Sequence, residues 1–516
     1  MDNVTARGAA LQAPSYDYAN LSLEDKAAQL IMIDLPDQEL SNLSAEHLRS
    51  YAWNGVILFA KNVRDRQQVG QLIGDIHKNA KQAAFIAVDQ EGGLVDRFRF
   101  PELNLSPGAR ALAVSESTDD VYTAYRIMGE ELHDMGIHID FAPCLDVNNN
   151  IHNPIIGVRS FGEDPHKVAE LGRAAIKGLR AGGVIPTAKH FPGHGNTDTD
   201  SHLALPTIKE SYEELEKIEL VPFKAALEEQ VEAIMTAHIV FPALDNQLPA
   251  TLSKTVLTDL LRHRLGFEGL IVTDSLAMKS IANTWGFGEA TVRSVEAGAD
   301  LILALGPFEQ QLESLAALVK AVKEGRISEA RLDQSLARIA TLRNKFPAFP
   351  QAELSKLAEH RQLMSEIVKK TGVILRNRAG LLPLRLPDGA RVAVVSPDLL
   401  PQSPLGEVSK SLNLAPLLTK YGIEAKEFKF NTATFGPPLN QLLRELNGFD
   451  CVILALYARG KLSDSQRELA QELPKVCPKN VILALSSPYL DIDNDTVITS
   501  YNYSQASLEA ALAKLF

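Results

Sequence analysis

The chain has 516 residues, 45% apolar and 22% charged, a balance that suits a globular protein with ample core and a length that implies two domains or a barrel with an addition. A formal net charge of -12 with no compensating Lys/Arg cluster excludes a nucleic-acid surface, and no run is long and apolar enough to insert in a membrane. Three widely separated cysteines, Cys144, Cys451 and Cys477, suggest no disulfide framework.

Met1-Asp2-Asn3-Val4-Thr5 carries neither a basic flank nor an apolar stretch, so the expected compartment is the cytoplasm, or the exterior if the numbering starts after a removed signal. From there to about residue 340, short apolar runs alternate with amphipathic stretches. The runs predict strands at Leu30–Leu35, Gly55–Ala60, Ala84–Asp89, Ile137–Phe141, Val184–Ala188, Ala233–His238, Leu270–Thr273 and Asp300–Ala304. They are near-continuous Val/Ile/Leu/Ala, as parallel strands covered on both faces should be. Helical patterns such as Lys167–Ala181 and Ser211–Gln230 lie between them. Eight such units predict an α/β fold of the TIM-type (β/α)₈ kind over residues 1–342, with an open doubly wound sheet as the structural rival.

Residues 343–370 read as a linker with a helix, because Phe346-Pro347 and Phe349-Pro350 interrupt the pattern. Residues 371–516 read as a smaller α/β sandwich domain. Its expected strands are Arg391–Val395, Cys451–Leu456, Asn480–Leu485 and Thr496–Ser500, ending in the helix Ser504–Phe516.

The most informative run is Lys189-His190-Phe191-Pro192-Gly193-His194-Gly195-Asn196-Thr197-Asp198-Thr199-Asp200-Ser201-His202. It follows the fifth apolar run, and Pro192, Gly193 and Gly195 turn the chain into a loop. In a barrel the strand ends and following loops share the face that holds the active site. Other ionisable residues fall there: Asp89, Asp140 and Asp146, Arg159, His238, and Asp274 after Leu270-Ile271-Val272-Thr273. A carboxylate directly after such a run is costly to bury unpaired, so it points to chemistry. Asp274 suits a rigid nucleophile. Asp200 and His202, two apart on a loop, suit an acid/base histidine oriented by a carboxylate.

These motifs resemble family 3 glycoside hydrolases of the β-N-acetylglucosaminidase branch, in its two-domain form. Besides residues 189–202, Val88-Asp89-Gln90-Glu91-Gly92-Gly93, Arg159-Ser160-Phe161-Gly162, Val272-Thr273-Asp274 and Asn377-Arg378-Ala379-Gly380-Leu381-Leu382-Pro383-Leu384 match in order. The resemblance implies a retaining, exo-acting enzyme that removes terminal β-linked N-acetylglucosamine from a small glycan, a cell-wall muropeptide fragment or a chitooligosaccharide. It implies Asp274 as nucleophile, His202 as acid/base, Asp200 as its partner, and Asp89, Arg159, Lys189 and His190 as holders of the sugar. Ser275-Leu276-Ala277-Met278 departs from the usual pattern and puts the pocket wall in doubt. In related β-glucosidases the second domain supplies a glutamate acid; the loop histidine makes that unnecessary, so the second domain is expected to be structural.

Several residues have plainer readings. A metal site at His190, His194, His202 and Asp200 is disfavoured because Pro192 and Gly193 break the helix that His-x₃-His ligation needs, so neither metal nor cofactor is expected. Gly92-Gly93 comes without a G-x-G-x-x-G or Walker pattern, which leaves nucleotide binding unsupported. His194 shapes the loop, Asp198 is the decoy for Asp200, and Asp140 and Asp146 are partners of arginines; Glu91, Asp96 and His238 stand on the same footing. The rival functions are a phosphorylase, since a histidine acid/base tolerates phosphate, a broad β-glucosidase, and a non-catalytic glycan-binding protein. The pattern specifies neither the leaving sugar nor an oligomeric state.

Overall fold

The computed structural model describes Tyr18, residues 20–198, Ser201, and residues 205–347, 355–399, 410–431 and 438–516. All eight expected barrel strands form: β1 (Ile31–Asp34), β2 (Gly55–Leu58), β3 (Phe85–Val88), β4 (Ile139–Asp140), β5 (Ile185–Phe191), β6 (Ala233–Thr236), β7 (Leu270–Val272) and β8 (Ile302–Leu303). Each pairs in parallel with its sequence neighbours, and β8 returns to β1 through Ile31↔Ile302. A parallel bridge between Val272 and Leu301 closes the ring. The fold is therefore a (β/α)₈ barrel and not the open sheet.

Strand alternation explains why the runs are apolar throughout. Met32, Ile57, Phe85, Ala87, Met235, Val272 and Leu303 point inward and fill the barrel. Their neighbours Ile31, Ile33, Val56, Leu58, Ile86 and Val88 point outward against the helices. At the amino end, Ile339 and Leu342 of the helix Glu329–Lys345, and Phe346 just after it, plug the ring. That helix runs three residues into the segment expected to be linker, and a second helix, Leu357–Lys369, follows.

The helix expected over Ser211–Gln230 is two, Tyr212–Lys217 and Leu220–Glu228. Pro222 is the reason. It lacks an N–H, a loss without cost in a first turn and a broken hydrogen bond in mid-helix.

The second domain is a mixed sheet with helices on both faces. Its strands are β9 (Val373–Asn377), β10 (Val392–Leu399), β11 (Lys410–Ser411), β12 (Ala425–Asn431), β13 (Cys451–Leu456), β14 (Asn480–Ala484) and β15 (Thr496–Thr499). The order runs β9, β15, β14, β13, β10, β11, with β12 also on β10. Alternate residues sort to two cores: Val392, Val394, Ile453 and Leu483 pack against the C-terminal helix Gln505–Leu512. Ala393, Val395, Val452 and Leu454 pack against helices Leu439–Leu446 and Asp464–Val476.

Candidate active site

At the carboxyl ends of the barrel strands lies a cavity of about 470 Å³, walled by Asp89 and Asp274 together with Asp34, Lys61, Arg97, Phe59, Met235, Met278 and Leu303 among others. Its size and its mixture of apolar wall and converging polar groups suit a small ligand. Asp274 follows β7 and is half-buried, and the backbone N–H of Ser275 donates to its Oδ1 at 2.7 Å. His238, at the end of β6, braces the same turn. Its Nε2 lies 2.9 Å from the Ser275 carbonyl oxygen, which can only accept, so Nε2 carries the proton. Its Nδ1 sits 2.8 Å from the Thr251 hydroxyl. His238 thus holds the turn that carries Asp274 and is not on the cavity wall.

Behind Asp89 runs a ladder of alternating charges. Lys189 Nζ lies 2.7 Å from Asp89 Oδ1 and 2.6 Å from Glu91 Oε1. Arg159 grips Glu91 with both prongs, Nη2 to Oε1 at 2.7 Å and Nε to Oε2 at 2.9 Å. Arg159 Nη2 is 3.4 Å from His190 Nε2, and His190 Nδ1 is 2.6 Å from Asp146 Oδ2. The ladder brings the four residues expected to hold the sugar into one contact chain. Of them only Asp89 is on the cavity wall; Arg159, Lys189 and His190 are buried one layer behind.

Burial, the largest influence on Glu91, pushes its carboxyl up, but Arg159 and Lys189 together outweigh it and hold the group well below the usual carboxylate range. Burial likewise pushes Lys189 down, and Asp89 and Glu91 overcome it, so the ammonium is held above its ordinary value.

Asp146 and Asp140 correct the expectation that they pair with arginines. Asp146 Oδ1 accepts the backbone N–H groups of His190 at 3.2 Å and His194 at 2.7 Å, while Oδ2 takes His190 Nδ1 and the Cys144 thiol at 3.2 Å. Burial raises the Asp146 carboxyl, but its contact with His190 reverses this and holds it below the usual range. The ionised carboxylate fixes the His190 proton on Nδ1 and leaves Nε2 to accept from Arg159. Asp140 accepts the Gln90 N–H at 2.9 Å, and burial drives its carboxyl well above the usual range.

Cys144, Asp146 and His190 also place three ligand-type atoms within 4.8 Å of one another. Tetrahedral ligation with bonds of about 2 Å separates ligand atoms by roughly 3.3 Å. Here His190 Nδ1 and Asp146 Oδ2 are 2.6 Å apart. The group is a hydrogen-bonded triad, not a cage.

Asp200 and His202 lie outside the described residues. The loop that carries them is described on either side and at Ser201. His194 tethers it: Nε2 is 2.9 Å from Ser201 Oγ, and Nδ1 is 3.2 Å from Thr197 Oγ1. Burial lowers the His194 imidazole to about 4. Asn153, from the loop after β4, donates to the carbonyls of His194 at 2.9 Å and Gly195 at 2.8 Å. Gly195 is obligatory, since a Cβ there would lie 1.6 Å from the Val147 carbonyl oxygen. His194 therefore shapes the loop as expected. Asp198 is exposed.

Sequence reasoning overlooked Asp34, Lys61 and Arg97. Asp34 ends β1 after Ile31-Met32-Ile33, the same placement that singled out Asp274, so that signal was present. Asp34 pairs with Lys61, and Gly306 donates to it at 2.7 Å. Arg97, 3.8 Å from Asp89, gave no pattern at all.

Comparison with known proteins converges on one family. The family described as "Glycosyl hydrolase family 3 N terminal domain" matches residues 22–342. A beta-hexosaminidase A of Pseudoalteromonas piscicida is 36% identical over 403 residues, 71% of this chain and 65% of that protein, so the chain spans slightly less than two thirds of that relative. A beta-hexosaminidase of Tolumonas auensis is 39% identical over 276 residues, 53% of this chain and 82% of that protein. The solved structure of a glycoside hydrolase family 3 beta-N-acetylglucosaminidase from Paenibacillus sp. str. FPU-7 superposes with a TM-score of 0.89 at 34% identity, covering 96% of this chain and 97% of that one.

Proposed function

The chain belongs to glycosyl hydrolase family 3, and from that membership we propose that it is a retaining exo-β-N-acetylglucosaminidase acting on terminal β-linked N-acetylglucosamine of small glycans. The observation that carries the reading is Asp274 and Asp89 on the walls of one small cavity, with the ladder of Lys189, Glu91 and Arg159 fixing Asp89 from behind.

In this reading the Asp274 carboxylate attacks the anomeric carbon. The bond to the leaving oxygen breaks, and His202, steadied by Asp200, protonates that oxygen. The resulting glycosyl-aspartate is opened by water, whose proton returns to His202, and two displacements restore the starting anomeric configuration. Asp89 accepts hydrogen bonds from sugar hydroxyls, Lys189, Glu91 and Arg159 fix it from behind, and His190 is held by Asp146 in the tautomer that can accept.

The test is kcat/KM on nitrophenyl N-acetyl-β-glucosaminide against the corresponding β-glucoside, with and without phosphate. A site built around the acetamide and hydroxyls penalises the sugar lacking them, so the glucoside should be poorer by orders of magnitude. Equal values would leave a general β-glycosidase. A phosphate-dependent rate yielding sugar phosphate would make the enzyme a phosphorylase.

A further inference from the structure

We propose that the second domain is a positioning element for the sugar-holding ladder, acting through Leu94 and Val158. This rests on reading Asp89 as a group that holds the sugar, with Lys189, Glu91 and Arg159 fixing it from behind. Leu94 is a barrel residue three positions after Glu91, yet it is buried in the core cluster of the second domain beside Tyr457, Leu485 and Tyr503. Val158, adjoining Arg159, packs against that same cluster. Thus the two loops whose tips carry Glu91 and Arg159 each insert an apolar side chain into the other domain, and the Glu91–Arg159 ion pair ties the loops together.

Polar contacts reinforce both insertions. Arg99 donates to the Leu94 carbonyl at 3.2 Å, lies 3.4 Å from the Tyr503 hydroxyl, and stacks its guanidinium 5.5 Å over the Tyr503 ring. Asn502, buried, donates to the Pro107 carbonyl at 2.8 Å. The neighbouring Ser106 carbonyl accepts the Gly93 N–H at 3.0 Å, and Gly92, at φ +80°, leaves no room for a side chain against Ser106. On the Val158 side, Gly460 comes so close that a Cβ would lie 3.0 Å from the His152 carbonyl oxygen. The seam between Leu94, residues 153–159 and the second-domain loops at 458–460 and 486–487 encloses about 20 Å³. That is room for a water and not for a ligand. The surfaces are packed together, so a shift of the second domain moves Glu91 and Arg159. Lys189 bonds Glu91 and Asp89 at once, and the displacement therefore reaches the cavity wall.

The test compares a Leu94→Ala/Val158→Ala double variant with Leu446→Ala, which opens the opposite core of the second domain away from the seam. Two quantities are read: backbone hydrogen exchange over residues 89–99 and 153–160, and kcat/KM on the nitrophenyl N-acetylglucosaminide. In the double variant, exchange in both loops should rise and kcat/KM should fall roughly ten- to a hundredfold, the scale of a small misplacement near reacting groups. Leu94→Met/Val158→Ile should recover most of the loss. Leu446→Ala should lower the melting temperature and leave both readouts at the wild-type level. If the double variant does not fold, Val158→Ala alone is read the same way. Wild-type exchange and turnover in the seam variant, or an equal loss in Leu446→Ala, would overturn the proposal. A wild-type protein that does not cleave the substrate would refute the functional reading instead, and the exchange data would still decide the seam.

Discussion

Replacing Glu91 by glutamine removes the negative charge that the buried cations Arg159 and Lys189 both face. Arg159 and Lys189 are 8% and 1% exposed, so water cannot take over the charge Glu91 now balances. What remains is Asp89, which must then serve Lys189 at 2.7 Å and Arg97 at 3.8 Å while Arg159 is left with no carboxylate contact among the described residues. At about 4 Å and an effective dielectric near 20, one such attraction is worth about 4 kcal/mol. Removing one partner of a buried pair typically costs about 3–5 kcal/mol, and we expect Glu91→Gln to fall in that range. Against a total stability of about 5–15 kcal/mol the variant stays folded at room temperature with a clearly lower urea midpoint. Trp53 and Trp285 are the only tryptophans and both lie in the barrel, so their fluorescence reports the domain that holds the ladder. Glu91→Asp is the control, since it keeps the charge and gives up only reach, and its loss should be smaller. A loss below about 1 kcal/mol for Glu91→Gln, or equal losses for the two variants, would refute the claim that charge holds this ladder together.

Three further outcomes follow from the geometry and the motif. His202→Ala should cost about 10²–10⁴-fold in kcat on a substrate with a poor leaving group and much less with a nitrophenolate, Asp200→Ala should do the same more mildly, and Asp198→Ala should do little. Equal losses on both substrates, or a larger effect at Asp198, would move the acid/base role elsewhere. Asp146→Asn should cost about 1–3 kcal/mol in urea unfolding, because an amide cannot accept from every donor that surrounds the carboxylate, and a change within 0.5 kcal/mol (roughly experimental scatter) would contradict that network. Burial lowers His138 to about 3 and His194 to about 4, so below the unfolded value of 6.5 the unfolded chain binds protons that the fold refuses. Stability is therefore lost as pH falls from 6.5 toward those values, by about 2 kcal/mol per imidazole at pH 5. Burial raises Asp96 to about 6, which works the other way over the same interval and returns about 1 kcal/mol. A His138→Gln variant should show a flatter pH profile than the wild type, and parallel profiles would exclude this origin.

Much of the barrel was legible because parallel strands covered on both faces are apolar at every position, as in Leu270-Ile271-Val272. The second domain was less so. Ala425–Asn431 reads Ala-Lys-Glu-Phe-Lys-Phe-Asn, and its alternation buries Phe428 and Phe430 against one face while the charged residues obscure the run. Val373–Asn377 is an edge strand set by its antiparallel partner Thr496–Thr499, a constraint from far along the chain. At the site, strand-end position picked out Asp274 and Asp89, and would have picked out Asp34. Glu91 was undervalued because what marks it is the pair of cations brought from β5 and from the loop after β4. The partnership of Asp146 with His190 spans 44 residues and leaves no local trace either.

In the proposed mechanism Asp274 is the nucleophile and the anomeric configuration is retained. Incubation of the enzyme with a fluorinated, slowly turned-over N-acetylglucosaminide, followed by peptide mass mapping of the adduct, decides that role. One sugar should be attached at Asp274, and the product first formed should keep the starting anomeric configuration. Label on any other residue, or an inverted product, would contradict it.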